Sequence, residues 1–285
     1  MEKKDFVKLN QDILDEWRAK FVKEKQCDEA YKGWDLDKLF ADDGIMNKGK
    51  IDKDDKGEWR RQQSETGKEN NEWSHAPLRV LFLSKDENLY EYSIPAWDVR
   101  TETFYLHNTE APIYISYSPF YRNEACLLYG LLHTNLVNGK MDYNDITWTD
   151  ALQFADEQIF ARINCKKEGG GETCHNNVLQ NAIKEDSAFL GKQIKNLDAD
   201  IFVCCGYSKN IKDSGNIILN FLNDIGYNFR QVEEGGEEIY YDSKKNKIAI
   251  NSYHLSAPQF NYDILISAYY EFLKVHPEFI NSHRK

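Results

Sequence analysis

Apolar positions fall into two regimes along this chain. From Leu78 onward, short unbroken apolar runs alternate with stretches of helical spacing, whereas the first 76 residues scatter their apolar side chains among charges. The run at 80–83 is continuous, which is the pattern of a strand buried on both faces of a parallel sheet, and residues 159–163, 201–205 and 248–251 supply three more strands. Between them, residues 121–136, 149–154, a stretch closing at Asp198, 214–225 and 262–275 repeat apolar side chains with the period of a helix. Strands alternating with helices predict a three-layer α/β/α sandwich with a mainly parallel central sheet of about four strands. Gly235-Gly236 and Lys244-Lys245 bracket residues 238–241 as a short hairpin strand.

The N-terminal part reads differently. Val7, Ile13, Leu14, Trp17 and Phe21 recur at near-helical spacing and predict one amphipathic helix. Residues 46–75 are polar and predict a mobile or looped segment. A boundary at His75-Ala76-Pro77 therefore separates a helical and polar extension, 1–76, from an α/β domain, 77–285.

Composition narrows the class. With 285 residues and 41% hydrophobic content the chain can bury a sizeable core, so global disorder is excluded. No apolar stretch is long enough to span a bilayer, and Met1 is followed by Glu2-Lys3-Lys4-Asp5 with no apolar run behind it. A cytoplasmic protein with no membrane partner is expected. Six cysteines occur without a CxxC pair, and Cys204 and Cys205 adjoin within an expected core strand. Reduced thiols, with no disulfide and no metal, follow. The net charge of −11 disfavours general phosphate binding unless a local stripe forms. Lys166-Lys167, Lys184, Lys192, Lys195, Lys209, Lys212 and Lys244-Lys245 are the residues that would make one.

Polar motifs stand at the ends of three expected strands. Arg79-Val-Leu-Phe-Leu is followed by Ser84-Lys85-Asp86-Glu87-Asn88, and Lys247-Ile-Ala-Ile-Asn251 by Ser252-Tyr253-His254-Leu255-Ser256. Between them, Phe160-Ala-Arg-Ile-Asn164 runs into Cys165-Lys166-Lys167. Ligands of open parallel sheets gather outside the carboxyl ends of the strands, so Asp86 and His254 are expected to face one pocket. Taken singly, Asp86 also fits a helix N-cap and His254 a loop histidine.

The order of these motifs resembles the uracil-DNA glycosylase superfamily over roughly residues 78 to 275. Its members read strand–Gly-x-Asp/Asn/Ala-Pro, strand–Asn–basic, helix–strand–Gly and strand–His-Pro-Ser, here matched at 84–87, 164–167, 201–206 and 254–256. The resemblance implies hydrolysis of an N-glycosidic bond in DNA after flipping of the base, with water as nucleophile and no cofactor. Asp86 takes the place of the water-activating or cation-stabilising residue, and His254 that of the donor to the leaving base. Asn164 would read the base edge with its amide. Tyr90, Tyr92 and Trp97 are the candidates for a stacking ring. Ser84, Lys85, Asn88, Lys166, Lys167, Ser256 and Gln259 are the expected DNA contacts.

Departures are plain. Ser84 replaces the family's first glycine, Glu87 its proline, and His254-Leu255-Ser256-Ala257 stands for His-Pro-Ser-Pro. Glu87 is thus a second candidate for the catalytic carboxylate, and the excised base need not be uracil. One branch of the superfamily carries an iron–sulfur cluster; Cys165 and Cys174 fall near two of its ligands, but an N-terminal cysteine pair is missing, so no cluster is expected. A monomer acting on DNA in repair, or in defence against phage DNA with modified bases, is the leading expectation. A catalytically inactive nucleic-acid or base-binding module, and a hydrolase of small nucleosides or nucleotides, are the alternatives. The acidic composition suits the second.

Overall fold

Residues 80–84 are buried without exception, and their side chains alternate between two separate cores: Leu81 and Leu83 point into one, Val80 and Phe82 into the other. That two-sided burial explains why the strand reads as an unbroken apolar run. The computed structural model describes residues 4–53, 57, 59–85, 98–102, 104, 118–170, 174–209, 211 and 214–283. Asp86, Glu87, Asn88, Tyr90, Tyr92, Trp97 and Lys212 lie outside the described residues.

In chain order, the strands are β1 (Gly44–Ile45), β2 (Ile51–Lys53), β3 (Trp59–Arg61), β4 (Val80–Ser84), β5 (Ala161–Asn164), β6 (Ile201–Cys204), β7 (Arg230–Gln231), β8 (Ile239–Asp242) and β9 (Lys247–Asn251). Seven of them form one sheet in the order β1-β5-β4-β6-β9-β8-β7. The inner four, β5, β4, β6 and β9, are parallel; β1, β8 and β7 are added antiparallel at the edges. The protein is thus a mixed α/β chain with a mostly parallel central sheet. The four parallel strands are the four that the apolar runs predict. The three edge strands are too short or too polar to announce themselves by pattern, apart from the expected β8.

Helices cover both faces. On one lie α1 (Phe6–Lys25), α5 (Asn176–Glu185), α6 (Ser187–Leu197) and α7 (Ile217–Asp224), sharing a core with Leu81, Ile163 and Phe202. On the other lie α3 (Pro119–His133), α4 (Trp148–Glu157), α8 (Tyr262–Val275) and α9 (Glu278–His283), packed with Phe82, Val203 and Ile250.

The expected N-terminal extension shares the same core. Leu14, Trp17 and Phe21 of α1 pack with α6 residues such as Ile194, and β1 pairs with β5 as an edge of the main sheet. Residues 46–75 also correct the expectation of a loop. They hold the β2–β3 hairpin and α2 (Lys68–His75), whose Trp73 is fully buried and donates to the Leu197 carbonyl at 2.9 Å. Glu69, also buried, accepts from the Lys48 and Ser64 backbone N–H groups. Polarity misled here because a carboxylate that satisfies turn N–H groups reads as solvated until its partners are known.

Candidate active site

Register brings the strand ends level. Ser84 pairs with Asn164, Leu83 with Cys204, and Cys204 with Asn251. At about 4.8 Å per strand, Ser84 and the end of β9 are therefore roughly 10 Å apart across the sheet. The loops then diverge. Beyond β4 the chain keeps pairing with the β5 loop, the Lys166 N–H donating to the Lys85 carbonyl at 2.8 Å. Beyond β6 it leans the other way, the Tyr207 N–H donating to the Ser252 carbonyl at 3.0 Å. The chain runs from β4 to β5 on one side and from β6 to β9 on the other, so β4 and β6 flank a topological switch point, the place where open parallel sheets gather their ligands. Ser84 closes β4 beside that switch point, buried, with no hydrogen-bond partner for its hydroxyl among the described residues.

His254 follows β9 by three residues and is half-buried. Its ring packs on Phe120, in the first turn of α3, with centroids 5.4 Å apart. The same turn grips the loop a second time: Asn123 donates from Nδ2 to the Leu255 carbonyl at 2.6 Å. Nδ1 lies 2.8 Å from the Ser256 hydroxyl and receives the Ser256 backbone N–H at 3.4 Å. A backbone N–H can only donate, so this network assigns Nδ1 as acceptor and leaves the ring proton on Nε2. Burial, and then the nearby Lys85 ammonium, lower the His254 pKa to about 4. At neutral pH the ring is an uncharged hydrogen-bond donor, and Lys85 of the first motif acts on His254 of the last.

Beneath Phe120 lies a buried ionic triad. Arg162 of β5, fully buried, donates from Nε to Glu124 of α3 at 2.8 Å and also pairs with Glu102. Its guanidinium stands 5.2 Å from the centroid of Phe120. Tyr121 donates its hydroxyl to Glu102 at 2.8 Å. Burial pushes the Glu124 carboxyl upward against the pull of Arg162. No sequence motif marks the triad. Its only signal is an arginine inside an otherwise apolar strand, which demands buried partners.

A second polar cluster holds the β5 end. Asp43 accepts from the Asn164 backbone N–H at 2.8 Å and from Gln193 at 2.8 Å, and pairs with Lys167. Asn10 donates to the Asp43 carbonyl at 2.8 Å, and Gln193 to Asn10 at 3.0 Å. Gly44 follows with φ of +132°, and a Cβ there would meet the Asn10 amide at 2.5 Å, so glycine is required. Lys167 is therefore corrected as a DNA contact. It is 2% exposed and committed to Asp43.

The remaining candidates separate into groups. Asn164 is buried at the end of β5, beside Ser84. Lys85 reaches Asn176 at 3.3 Å, and Lys166 donates to the Glu168 carbonyl. Ser256 orients His254, and exposed Gln259 lines a separate cavity beside β9. Lys184, Lys192 and Lys195 rim a groove of about 800 Å³ between α5, α6 and α7. Lys245 instead caps the Gly226 carbonyl at 2.6 Å. The six cysteines form no disulfide with one another, and burial pushes the Cys126 thiol up to about 11 and that of Cys165 up to about 12. Among the described residues no group of His, Cys, Asp or Glu is placed to hold a metal ion, and no helix is long and apolar enough to cross a membrane. Comparisons with family models, curated proteins and solved structures return no match.

Proposed function

We propose that this chain is a monofunctional DNA glycosylase that flips a damaged or modified base into the crevice beside β4 and hydrolyses its glycosidic bond. The observation that carries the reading is the neutral His254, its Nδ1 engaged and its Nε2–H without a partner among the described residues, within the field of Lys85 at the carboxyl end of a parallel sheet. Breaking C1′–N leaves negative charge on the departing base and positive charge on the sugar. A neutral imidazole N–H stabilises the base anion by hydrogen bonding without protonating it outright. Water adds to C1′ as the C1′–N electrons leave with the base, and the Asp86 or Glu87 carboxylate takes the water proton. Asn164 reads the base edge. Support also comes from helices on both sheet faces, read as a three-layer α/β/α arrangement, and from the order of the strand-end motifs. The protein acts as a cytoplasmic monomer on DNA in this reading.

The net charge of −11 favours a second reading, a hydrolase of free nucleosides or nucleotides. One assay separates the two. A labelled duplex carrying a single uracil, hypoxanthine or modified cytosine is incubated, then cleaved with alkali, alongside the matching free nucleosides. Asp86→Asn is expected to slow base release on the order of 10²–10³-fold with binding nearly intact, as for other preorganised electrostatic groups. Full activity in Asp86→Asn with none in Glu87→Gln moves the role to Glu87. Release from nucleosides alone selects the second reading, and release from neither selects a binding module.

A further inference from the structure

A second cavity, of about 230 Å³, opens beside the His254 loop at the ends of β6 and β9. Nothing in the proposed reaction uses it. Tyr207 and Tyr253 meet edge to face at 4.7 Å on one side, Glu237 and Glu238 stand on another, and exposed Lys209 lies at the mouth. The site is built rather than incidental. The Tyr207 backbone is bonded to Ser252, and Gly215 has φ of +73° with no side chain, where a Cβ would come within 2.5 Å of the Tyr207 ring. At the floor, buried Asn251 is spent on the Ser214 and Glu237 carbonyls, which fixes the acidic turn over the cavity. Burial, with a smaller push from the neighbouring Glu237, raises the Glu238 carboxyl, as expected for an acid drawn into a recess.

We infer that this cavity binds a nucleobase bearing an exocyclic amino group, from a nucleotide neighbouring the excised one, an inference that rests on the glycosylase reading. The volume suits one planar heterocycle and is below that of usual drug-sized sites. Tyrosine rings give such a heterocycle a stacking surface. Two carboxylates accept hydrogen bonds and offer no donor, so they match the amino group of cytosine, adenine or guanine and oppose the carbonyl of thymine. They also repel phosphate, which excludes the backbone from the cavity and, among the described lining residues, leaves Lys209 to meet it.

The test is equilibrium binding of short oligodeoxycytidylate and oligothymidylate strands to the full chain, followed by fluorescence anisotropy. Wild type is expected to favour the cytidylate roughly tenfold. Tyr207→Ala and Glu238→Gln, each checked for unchanged thermal unfolding, should lose that preference while thymidylate binding stays the same. Equal binding of both strands by wild type, or a preference that survives both substitutions, overturns the inference. Base excision is measured separately on the labelled duplex. Excision without a cytidylate preference removes this cavity and leaves the glycosylase reading standing, whereas preference without excision keeps the cavity as a nucleobase site and removes the catalysis.

Discussion

Two buried charge clusters flank β5, one on each face of the sheet, and they are balanced differently. Asp43 and Lys167 form a one-to-one pair, closed off by the Gln193 and Asn10 amides and the Asn164 backbone. Arg162 instead faces two carboxylates, Glu102 and Glu124, so the second cluster carries one more negative group than positive. The first ties α1, β1 and α6 to the strand end and holds the Asn164 backbone in place. The second lies against Phe120, whose ring packs on His254. Two ionic cores of similar depth thus do different work, and what distinguishes them is where the last aromatic neighbour leads.

The largest effects should come from removing a cation. Arg162→Met and Lys167→Met each strand buried carboxylate charge, and each is expected to cost about 3–5 kcal/mol in urea denaturation. They should part company in NMR titration of His254. Arg162→Met alters its apparent pKa and Lys167→Met leaves it unchanged. Equal shifts in both variants would erase the distinction between a staple and a support.

Removing an anion should separate them further. Asp43→Asn deprives Lys167 of its partner and turns an acceptor of several donors into a mixed group, so a loss of roughly 3 kcal/mol is expected. Glu124→Gln leaves Arg162 matched one-to-one with Glu102 and relieves a carboxyl already pushed upward by burial. Its cost should stay within about 1 kcal/mol. A Glu124→Gln loss as large as that of Asp43→Asn would show that both carboxylates are needed for the fold.

These clusters also mark the limit of what the sequence discloses. Three of the four parallel strands are legible because burial on both faces removes polar positions from 80–83, 201–204 and 248–250, and the fourth, β5, breaks that pattern only at Arg162 and its closing Asn164. α8 was legible to the residue, since Leu265, Ile266, Tyr269, Phe272 and Leu273 repeat at helical spacing. The positions of Asn164 at the end of β5 and of His254 just beyond β9 are legible because the strands stop where the apolar runs give way to polar residues. The sequence reads Lys167 as a surface contact for a physical reason. A lysine after a strand looks solvated, and only the distant Asp43 turns it inward. Glu102, Glu124 and Phe120 could not be chosen, because their relation to His254 exists only once α3 has packed on the sheet.

Phe120→Ala tests that relation directly. It removes the ring between Arg162 and the imidazole, admits water to His254, and frees the loop that Asn123 still holds through Leu255. The His254 pKa should rise from about 4 toward its ordinary value. On the proposed glycosylase reading, base release should fall by up to about 10²-fold, since small displacements of a catalytic group cost that much. Rescue by Phe120→Tyr, which keeps the ring, is expected; an unchanged pKa in Phe120→Ala would mean that the ring does not shield His254.

The smallest effect is electrostatic. Lys85 contributes less than burial to lowering the His254 pKa, so Lys85→Gln should raise it only slightly, measured by the same titration. The sign carries over to stability. The folded chain holds the His254 proton less tightly than the unfolded chain, whose histidine titrates near 6.5. Protons therefore favour unfolding between about 4 and 6.5, so this group's contribution to stability rises with pH across that window and is constant above it. Replacing His254 with Gln, an uncharged donor, removes the dependence. Urea midpoints of the wild type and His254→Gln should converge above pH 7 up to a constant offset and diverge in slope below pH 6, whereas parallel curves throughout would mean that His254 titrates normally in the folded chain.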